Sequence, residues 1–153
     1  MSIFPTRILL ATDGSEEATL AARTATDIAD KTGSELHIIL VGLSVSYYVG
    51  MGPPEIADIP GPAQEELNQE GQRLLNAQAR WVEANGGTVA EAHLRIGKPD
   101  EEIVSQAEEL GAGLIVIGSR GVGGIRRALM GSVSDSVVRH ARCPVLAVRE
   151  ERR

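Results

Sequence analysis

Cysteine and aromatic residues are scarce in this chain. Cys143 is the one cysteine among 153 residues, so no intramolecular disulfide is possible and the cysteine content gives no sign of secretion. Aromatic residues make up 3% of the sequence, whereas 42% of the residues are hydrophobic. We therefore expect valine, isoleucine, leucine and alanine to fill the core.

Long apolar runs and a positive net charge are also lacking. No run approaches the ~20 apolar residues of a membrane-spanning helix. The first residues lack the basic start and long apolar middle of a signal peptide, so we expect a cytoplasmic protein. The net charge is −6, which disfavours nucleic acid or an anionic membrane as the main partner. Neither class of partner is predicted.

Short apolar runs alternate with helical patterns along the chain. Apolar or alternating runs predict five strands, at 7–13, 35–43, 88–97, 113–118 and 145–148. Four helices are predicted by three- and four-residue spacing of apolar residues and by capping signals, at 18–29, from about 63 to the Asn85-Gly86-Gly87 stop, at 99–110, and at about 132–141. This alternation is typical of an α/β protein with a parallel sheet covered by helices on both faces, here as a single domain over 1–153.

Two segments fall outside this pattern. Residues 44–62 contain four prolines and three glycines, which predicts a loop excursion too long for a tight turn. Tyr47, Tyr48 and Met51 in this segment either fold over a ligand or a partner chain, or belong to a mobile surface loop. Residues 150–153 form a short charged tail.

The stretch GSRGVGGIRRALMGS, residues 118–132, holds five glycines and three arginines but no acidic residue. Glycine lets a ligand approach the backbone closely, and ligands of open α/β sheets bind at the carboxyl ends of the strands. A helix N-terminus with the hydroxyls of Ser132 and Ser134 suits a phosphate. Phosphate binding is the simplest use of these features. The alternative is that Ser132 only caps its helix, with Asp135, and that the arginines are solvated.

The spacing of the glycines distinguishes this loop from other phosphate loops. Neither G-x-x-x-x-G-K-[ST] nor G-x-G-x-x-G occurs. Gly118, Gly121, Gly131 and Ser132 instead form the pattern G-2x-G-9x-G-[ST]. This pattern resembles the nucleotide-binding signature of the universal stress protein family. The resemblance covers nearly the whole chain and includes the segments ILLATDGS, GKPDEEIVSQAEELGAGLIVIGSRG and CPVLAVR.

The resemblance implies a three-layer, Rossmann-like α/β fold, with a five-stranded parallel sheet in the order 3-2-1-4-5 and helices on both faces. In nucleotide-binding members the crevice between strands 1 and 4 holds ATP. By position, Ala11 would line the base pocket, Asp13 would meet the ribose or adenine, and Val41 would offer backbone groups to adenine. The alternative for Asp13 is to cap the first helix through Gly14 and Ser15.

The same resemblance implies the contacts of the ribose and phosphates. Residues 118–122 would wrap them, and residues 131–134 would bind phosphates through N–H and hydroxyl groups. The expected nucleotide-binding set is Ala11, Thr12, Asp13, Val41, Gly118, Ser119, Arg120, Gly121, Val122, Gly131, Ser132, Val133 and Ser134. The expected ligand is ATP, or else ADP or AMP. Because no compact carboxylate cluster stands out, Mg²⁺ or Mn²⁺ would be held mainly by the phosphates.

Catalytic residues are not evident in the sequence. His37, His93 and His140 lie on different elements without metal-ligand spacing, so we interpret each as structural. Cys143 precedes Pro144 near a strand start, and nothing nearby predicts a low thiol pKa. Phosphoryl transfer needs a residue that positions the nucleophile, and no such base can be named. We expect nucleotide binding with little or no turnover.

Three functions follow from these observations. The first is an ATP-binding regulator in the stress response, which would be a homodimer because the family pairs its last strand, here 144–149, with a second copy. The second is a slow ATPase or a phosphotransfer enzyme. The third is an interaction scaffold of the same fold without nucleotide, against which the intact glycine motif argues. The sequence does not identify a protein partner.

Overall fold

The central strand of the sheet is β1, Arg7–Thr12, which pairs in parallel with β2, Glu35–Gly42, on one side and β4, Leu114–Gly118, on the other. The computed structural model of the chain describes residues 2–16, 18–42, 60–119 and 125–149, of which 60–62 and 125–130 are described by their backbone only. Within these ranges β3, Val89–Ile96, and β5, Val145–Val148, form the two edges of the sheet.

All five strands are parallel, in the order β3-β2-β1-β4-β5. Among the described residues, four helices connect them, namely α1 (Ala18–Thr32), α2 (Pro60–Ala84), α3 (Pro99–Leu110) and α4 (Ile125–His140). The predicted α/β class and strand order are confirmed. In the part of the chain that the structure describes, no helix is both long and apolar enough to cross a membrane.

Alternation along β1 separates two hydrophobic cores. Ile8 and Leu10 point to one face and pack against alanines of α1 and against Leu75 and Val82 of α2. Leu9 and Ala11 point to the other face, where α3 and α4 cover them. Ile8, Leu9 and Leu10 have no exposed surface and Ala11 is 2% exposed. A strand enclosed on both faces must be a continuous apolar run, as this one is.

Two helices begin earlier than the sequence predicted. Helix α2 begins at Pro60, so the last three residues of the predicted 44–62 loop are helical. The rest of that segment, residues 44–59, lies outside the described residues. Helix α4 begins at Ile125 and not near Ser132. Its first turns, IRRALM, contain residues that favour or tolerate a helix, and an interior glycine such as Gly131 costs only about 1 kcal/mol relative to alanine. The tail 150–153 also lies outside the described residues.

Candidate ligand site at the carboxyl edge of the sheet

The strand order reverses beside β1. The chain moves from β1 through β2 to β3 on one side, and then crosses to β4 on the other side of β1. Ala11 lies opposite Ile117 in the register of β1 and β4, so Thr12 and Gly118 end the two strands side by side. Helices that leave neighbouring strands in opposite directions open a crevice there, which is where ligands of open α/β sheets bind.

Asp13 follows β1 at this crevice and has one unsatisfied oxygen. Its Oδ1 accepts a hydrogen bond from the Ser15 backbone N–H at 3.0 Å. Its Oδ2 is buried and has no hydrogen-bond partner among the described residues. Buried polar atoms are almost always paired, so an unpaired one needs an explanation. A hydrogen-bond donor from a ligand is one such explanation.

The cap of the first helix is supplied by Ser15. Its Oγ accepts a hydrogen bond from the backbone N–H of Ala18, the first residue of α1, at 3.1 Å. Asp13 contacts Ser15 across Gly14, whose φ of 78° lies in the left-handed region that favours glycine. Asp13 thus shapes the turn through Oδ1, but among the described residues it makes no hydrogen bond to α1. Its Oδ2 is therefore available to a ligand.

The Thr12 side chain faces away from the crevice. Its Oγ1 donates to Gln78 Oε1 of α2 at 2.8 Å and accepts from the Gly14 N–H at 3.1 Å. Because Thr12 and Gln78 are both buried, this hydrogen bond connects β1 to α2 inside the protein. Thr12 therefore has only backbone groups to offer a ligand. Gln78 is the residue that the sequence interpretation missed; the signal was a polar side chain on the apolar face of a helix.

Ala11 and Val41 lie on the opposite face of the sheet, with α3 and α4. Ala11 is buried in that core, and Val41 is partly buried against it near the end of β2. Val41 lies opposite Arg95 of β3, whose guanidinium is held by Glu102 at 2.6 Å and by Glu109 at 3.0 Å. The Glu102 and Glu109 carboxylates raise the pKa of Arg95 despite its partial burial, so this side chain stays charged and anchored to α3.

The two ends of the glycine loop come together. Gly118 is buried at the end of β4, and the Ser119 N–H donates to the Val148 carbonyl of β5 at 2.9 Å. A Cβ placed on Gly131 would lie 3.7 Å from the Ser119 carbonyl oxygen, so the two backbones approach closely. Arg120, Gly121 and Val122 lie outside the described residues, as do the side chains of Arg126 and Arg127. Their predicted roles stay predictions.

The earlier start of α4 changes the setting of residues 131–134, whose expected phosphate contacts stay predictions. Because α4 begins at Ile125, the N–H groups of these residues lie in the helix interior, where each N–H is directed to the carbonyl four residues earlier. Val133 is buried in the core, and Ser134 is buried with its Oγ donating to the Gly131 carbonyl at 3.0 Å. Ser132 alone of the four has an exposed side chain.

Two of the three histidines, predicted to be separate structural residues, contact each other. His37 of β2 and His93 of β3 approach to 3.3 Å between ring nitrogens, because the two strands are neighbours. Burial lowers the pKa of His93, which favours its neutral form. His140 lies apart at the exposed end of α4 and contacts Ser136. Cys143 is partly buried, which raises the pKa of its thiol.

The sheet order, the switch point and the glycine-rich loop define a Rossmann-like α/β protein. The sequence profile of the universal stress protein family matches residues 5–149, and the chain belongs to this family. A universal stress protein of Methanocaldococcus jannaschii is 35% identical over 147 residues, which cover 96% of this chain and 84% of that protein.

Two solved structures of similar fold are complexes with nucleotides. One is a universal stress protein in complex with cAMP, which is 26% identical with a TM-score of 0.69 and is matched over 96% of this chain and 98% of its own. The other is the universal stress protein from Archaeoglobus fulgidus in complex with dAMP, which is 25% identical with a TM-score of 0.67 and is matched over 95% and 98%.

The hydrogen bond between Thr12 and Gln78 gives a test of how the crevice is supported. Gln78→Ala leaves the buried Thr12 hydroxyl without its acceptor, so we expect a loss of about 1–3 kcal/mol in the free energy of unfolding. Gln72→Ala is the matched control on the same helix, because Gln72 is exposed and its side chain donates to Asn76 of the same helix. A change within about 0.5 kcal/mol is expected. Urea unfolding measures both. An equal loss of unfolding free energy in the two variants would contradict the stabilising role assigned to the hydrogen bond between Thr12 and Gln78.

Proposed function

We propose that the chain binds an adenine nucleotide, with ATP first and ADP or AMP next, in the crevice between the ends of β1 and β4. The observation that carries the proposal is the buried, unpaired Oδ2 of Asp13. A carboxylate oxygen accepts hydrogen bonds, and a ribose hydroxyl is a donor that would satisfy it. The cAMP and dAMP bound to two relatives are also adenine nucleotides.

The remaining contacts follow the order of the strands. Ala11 and Val41, on the face covered by α3 and α4, would border adenine, and the backbone of Thr12 would lie beside it. Gly118, Ser119 and the loop residues Arg120, Gly121 and Val122 would surround the ribose and phosphates. The phosphates would carry Mg²⁺ or Mn²⁺, whose preference for oxygen ligands they meet.

Residues 131–134 would contribute less directly. Gly131 permits close approach of a phosphate because it has no side chain, and the exposed hydroxyl of Ser132 is a donor. The N–H groups of Ser132, Val133 and Ser134 would become available only if the turns of α4 that precede them unwound. The expected phosphate site at these positions therefore requires either the Ser132 hydroxyl alone or a shorter α4 in the bound state.

Nucleotide binding with little or no turnover is the activity we propose. Asp13 is the carboxylate that directly follows β1 at the crevice, and its Oδ1 already accepts a hydrogen bond from the Ser15 N–H. That bond makes Asp13 a poor candidate for a general base. A binding module would use occupancy of the crevice to alter contacts with other molecules during the stress response. A slow ATPase or phosphotransfer enzyme remains the second candidate, and a scaffold without nucleotide the third.

We also propose that the chain forms a homodimer through residues 144–149. Strand β5 is a sheet edge, and an exposed edge offers unpaired N–H and C=O groups to another strand. Leu146 on this strand is one of the large hydrophobic side chains that remain exposed, at 37%. Pairing of two β5 strands would satisfy the edge and cover Leu146.

The role of Asp13 is tested by removing each partner of the proposed hydrogen bond. Titration calorimetry would compare ATP, 2′-deoxy-ATP and 3′-deoxy-ATP on wild type and on Asp13→Ala. Removing one partner of a hydrogen bond to a charged group costs about 1.5–3 kcal/mol, so we expect at least tenfold weaker ATP binding by the variant.

Comparing both ligands on both proteins separates the contact between Asp13 and the ribose from a general loss of structure. At least one deoxy analogue should bind wild type more weakly than ATP does, whereas Asp13→Ala should bind that analogue and ATP equally. Ser15→Ala, which removes only the cap of α1, is the control and should keep the discrimination between analogues. Tight ATP binding by Asp13→Ala would contradict the placement of the site.

The dimer is tested by placing a charge on the proposed interface. Leu146→Lys puts a charged side chain on the edge strand, a feature that prevents strands from pairing edge to edge, so we expect the mass of one chain by light scattering at micromolar concentration. Val138→Lys is the control, because Val138 is also an exposed hydrophobic residue, at 54%, but lies on α4. Wild type and the control should have the mass of two chains. A monomeric wild type would contradict the proposal.

A further inference from the structure

A second cluster of side chains lies on β2 and β3, away from the crevice. His37 lies opposite Glu91, and Ile39 opposite His93, so His37, Glu91 and His93 project from one face of the sheet. His37 pairs with Leu9 in the first half of β1, whereas Asp13 follows the end of that strand. The cluster therefore lies toward the amino ends of the strands, and β3 beside it is an edge strand.

The ligand-type atoms of this cluster lie close enough to surround one ion. His37 Nδ1 and His93 Nε2 are 3.3 Å apart, and His93 Nε2 is 3.9 Å from Glu91 Oε2. One such atom from each of the three residues lies within 4.8 Å of the others. Two ligands at 2.0–2.1 Å from a tetrahedral zinc ion are about 3.4 Å apart, close to the separation of the two ring nitrogens.

The other nitrogen of His37 has the partner that a metal-binding imidazole usually has. His37 Nε2 lies 3.2 Å from Glu35 Oε2, and Arg7 Nε donates to the same oxygen at 3.1 Å. A carboxylate that accepts the Nε2–H of His37 fixes the tautomer and leaves the Nδ1 lone pair directed toward His93. Such carboxylate–histidine–metal arrangements orient the ring and increase its basicity as a ligand.

Burial and charge suit a bound cation at this position. The His37 and His93 side chains are 7% and 14% exposed, whereas that of Glu91 is 65% exposed, so an ion would sit at the boundary of core and solvent. The neighbouring Arg95 is positively charged, but Glu102 and Glu109 both contact its guanidinium. Glu91 supplies negative charge next to the two rings, whereas the charge of Glu35 is shared with Arg7.

We propose that His37, His93 and Glu91 form a binding site for a divalent transition metal ion, with zinc as the best fit and Glu35 as the outer partner of His37. Two imidazoles and one carboxylate are a ligand set that zinc adopts with a fourth position left to water. Binding requires that the proton on His93 Nε2 move to Nδ1, so that Nε2 presents its lone pair. The histidine χ2 torsion is broad, which lets both rings turn toward one ion.

Zinc titration of the untagged full chain, stripped of metal by chelator and free of nucleotide, tests the proposal. Calorimetry should give about one Zn²⁺ per chain for wild type, and zinc should raise the melting temperature because it binds the folded state. His93→Ala should abolish binding. Glu35→Gln should weaken it about 10–100-fold, as changes in the outer partners of metal ligands do.

Two further variants separate loss of the metal site from loss of folding. Glu91→Gln changes a mostly exposed side chain, so it should fold normally and still bind zinc at least tenfold more weakly. His140→Ala removes the histidine outside the cluster and should bind zinc as wild type does. Absence of saturable zinc binding in wild type would overturn the proposal, because the two rings would then only bond each other. Equal affinity of wild type and His93→Ala, or loss of binding in His140→Ala, would overturn it too.

Discussion

The parallel pairing of β1 with strands on both sides is the constraint on which the rest of the structure depends. Ile8, Leu9 and Leu10 are completely buried, and alternate residues of this strand belong to two different cores. Because β2 and β4 pair with opposite edges of β1, the chain must reverse direction across the sheet beside it. The interaction that builds the core therefore also creates the crevice, and no separate element is needed to form it.

The crevice combines groups that the fold satisfies with one that it does not. Thr12 and Ser15 have their hydrogen bonds within the protein, and Ser119 is tied to β5. Asp13 between them keeps one buried oxygen that has no hydrogen-bond partner in the part of the chain that the structure describes. An unpaired buried carboxylate oxygen is costly, so a ligand that donates to it gains more than the same contact would contribute on an exposed surface. Such an arrangement favours binding over stability of the free protein.

Sequence patterns predicted the strands because each is a short apolar or alternating run, and the family resemblance supplied their order. They placed the start of α4 wrongly, since Gly131-Ser132 resembles a helix start while the preceding IRRALM is equally compatible with a helix. The contact of His37 with His93 depends on pairing between β2 and β3, including an irregularity in their register after Leu36. Gln78 likewise acquires its role only when α2 packs on Thr12. The sequence shows Gln78 as a polar side chain on an apolar helix face, but it does not show which distant residue that side chain contacts.

The most direct test of the nucleotide site is a crystal structure of the wild-type protein grown with ATP and Mg²⁺. The account predicts a nucleotide between the ends of β1 and β4, with a ribose hydroxyl within hydrogen-bonding distance, below about 3.2 Å, of Asp13 Oδ2. A nucleotide bound elsewhere would contradict it. So would a fully ordered crevice in which a protein group, and no ligand, donates to that oxygen.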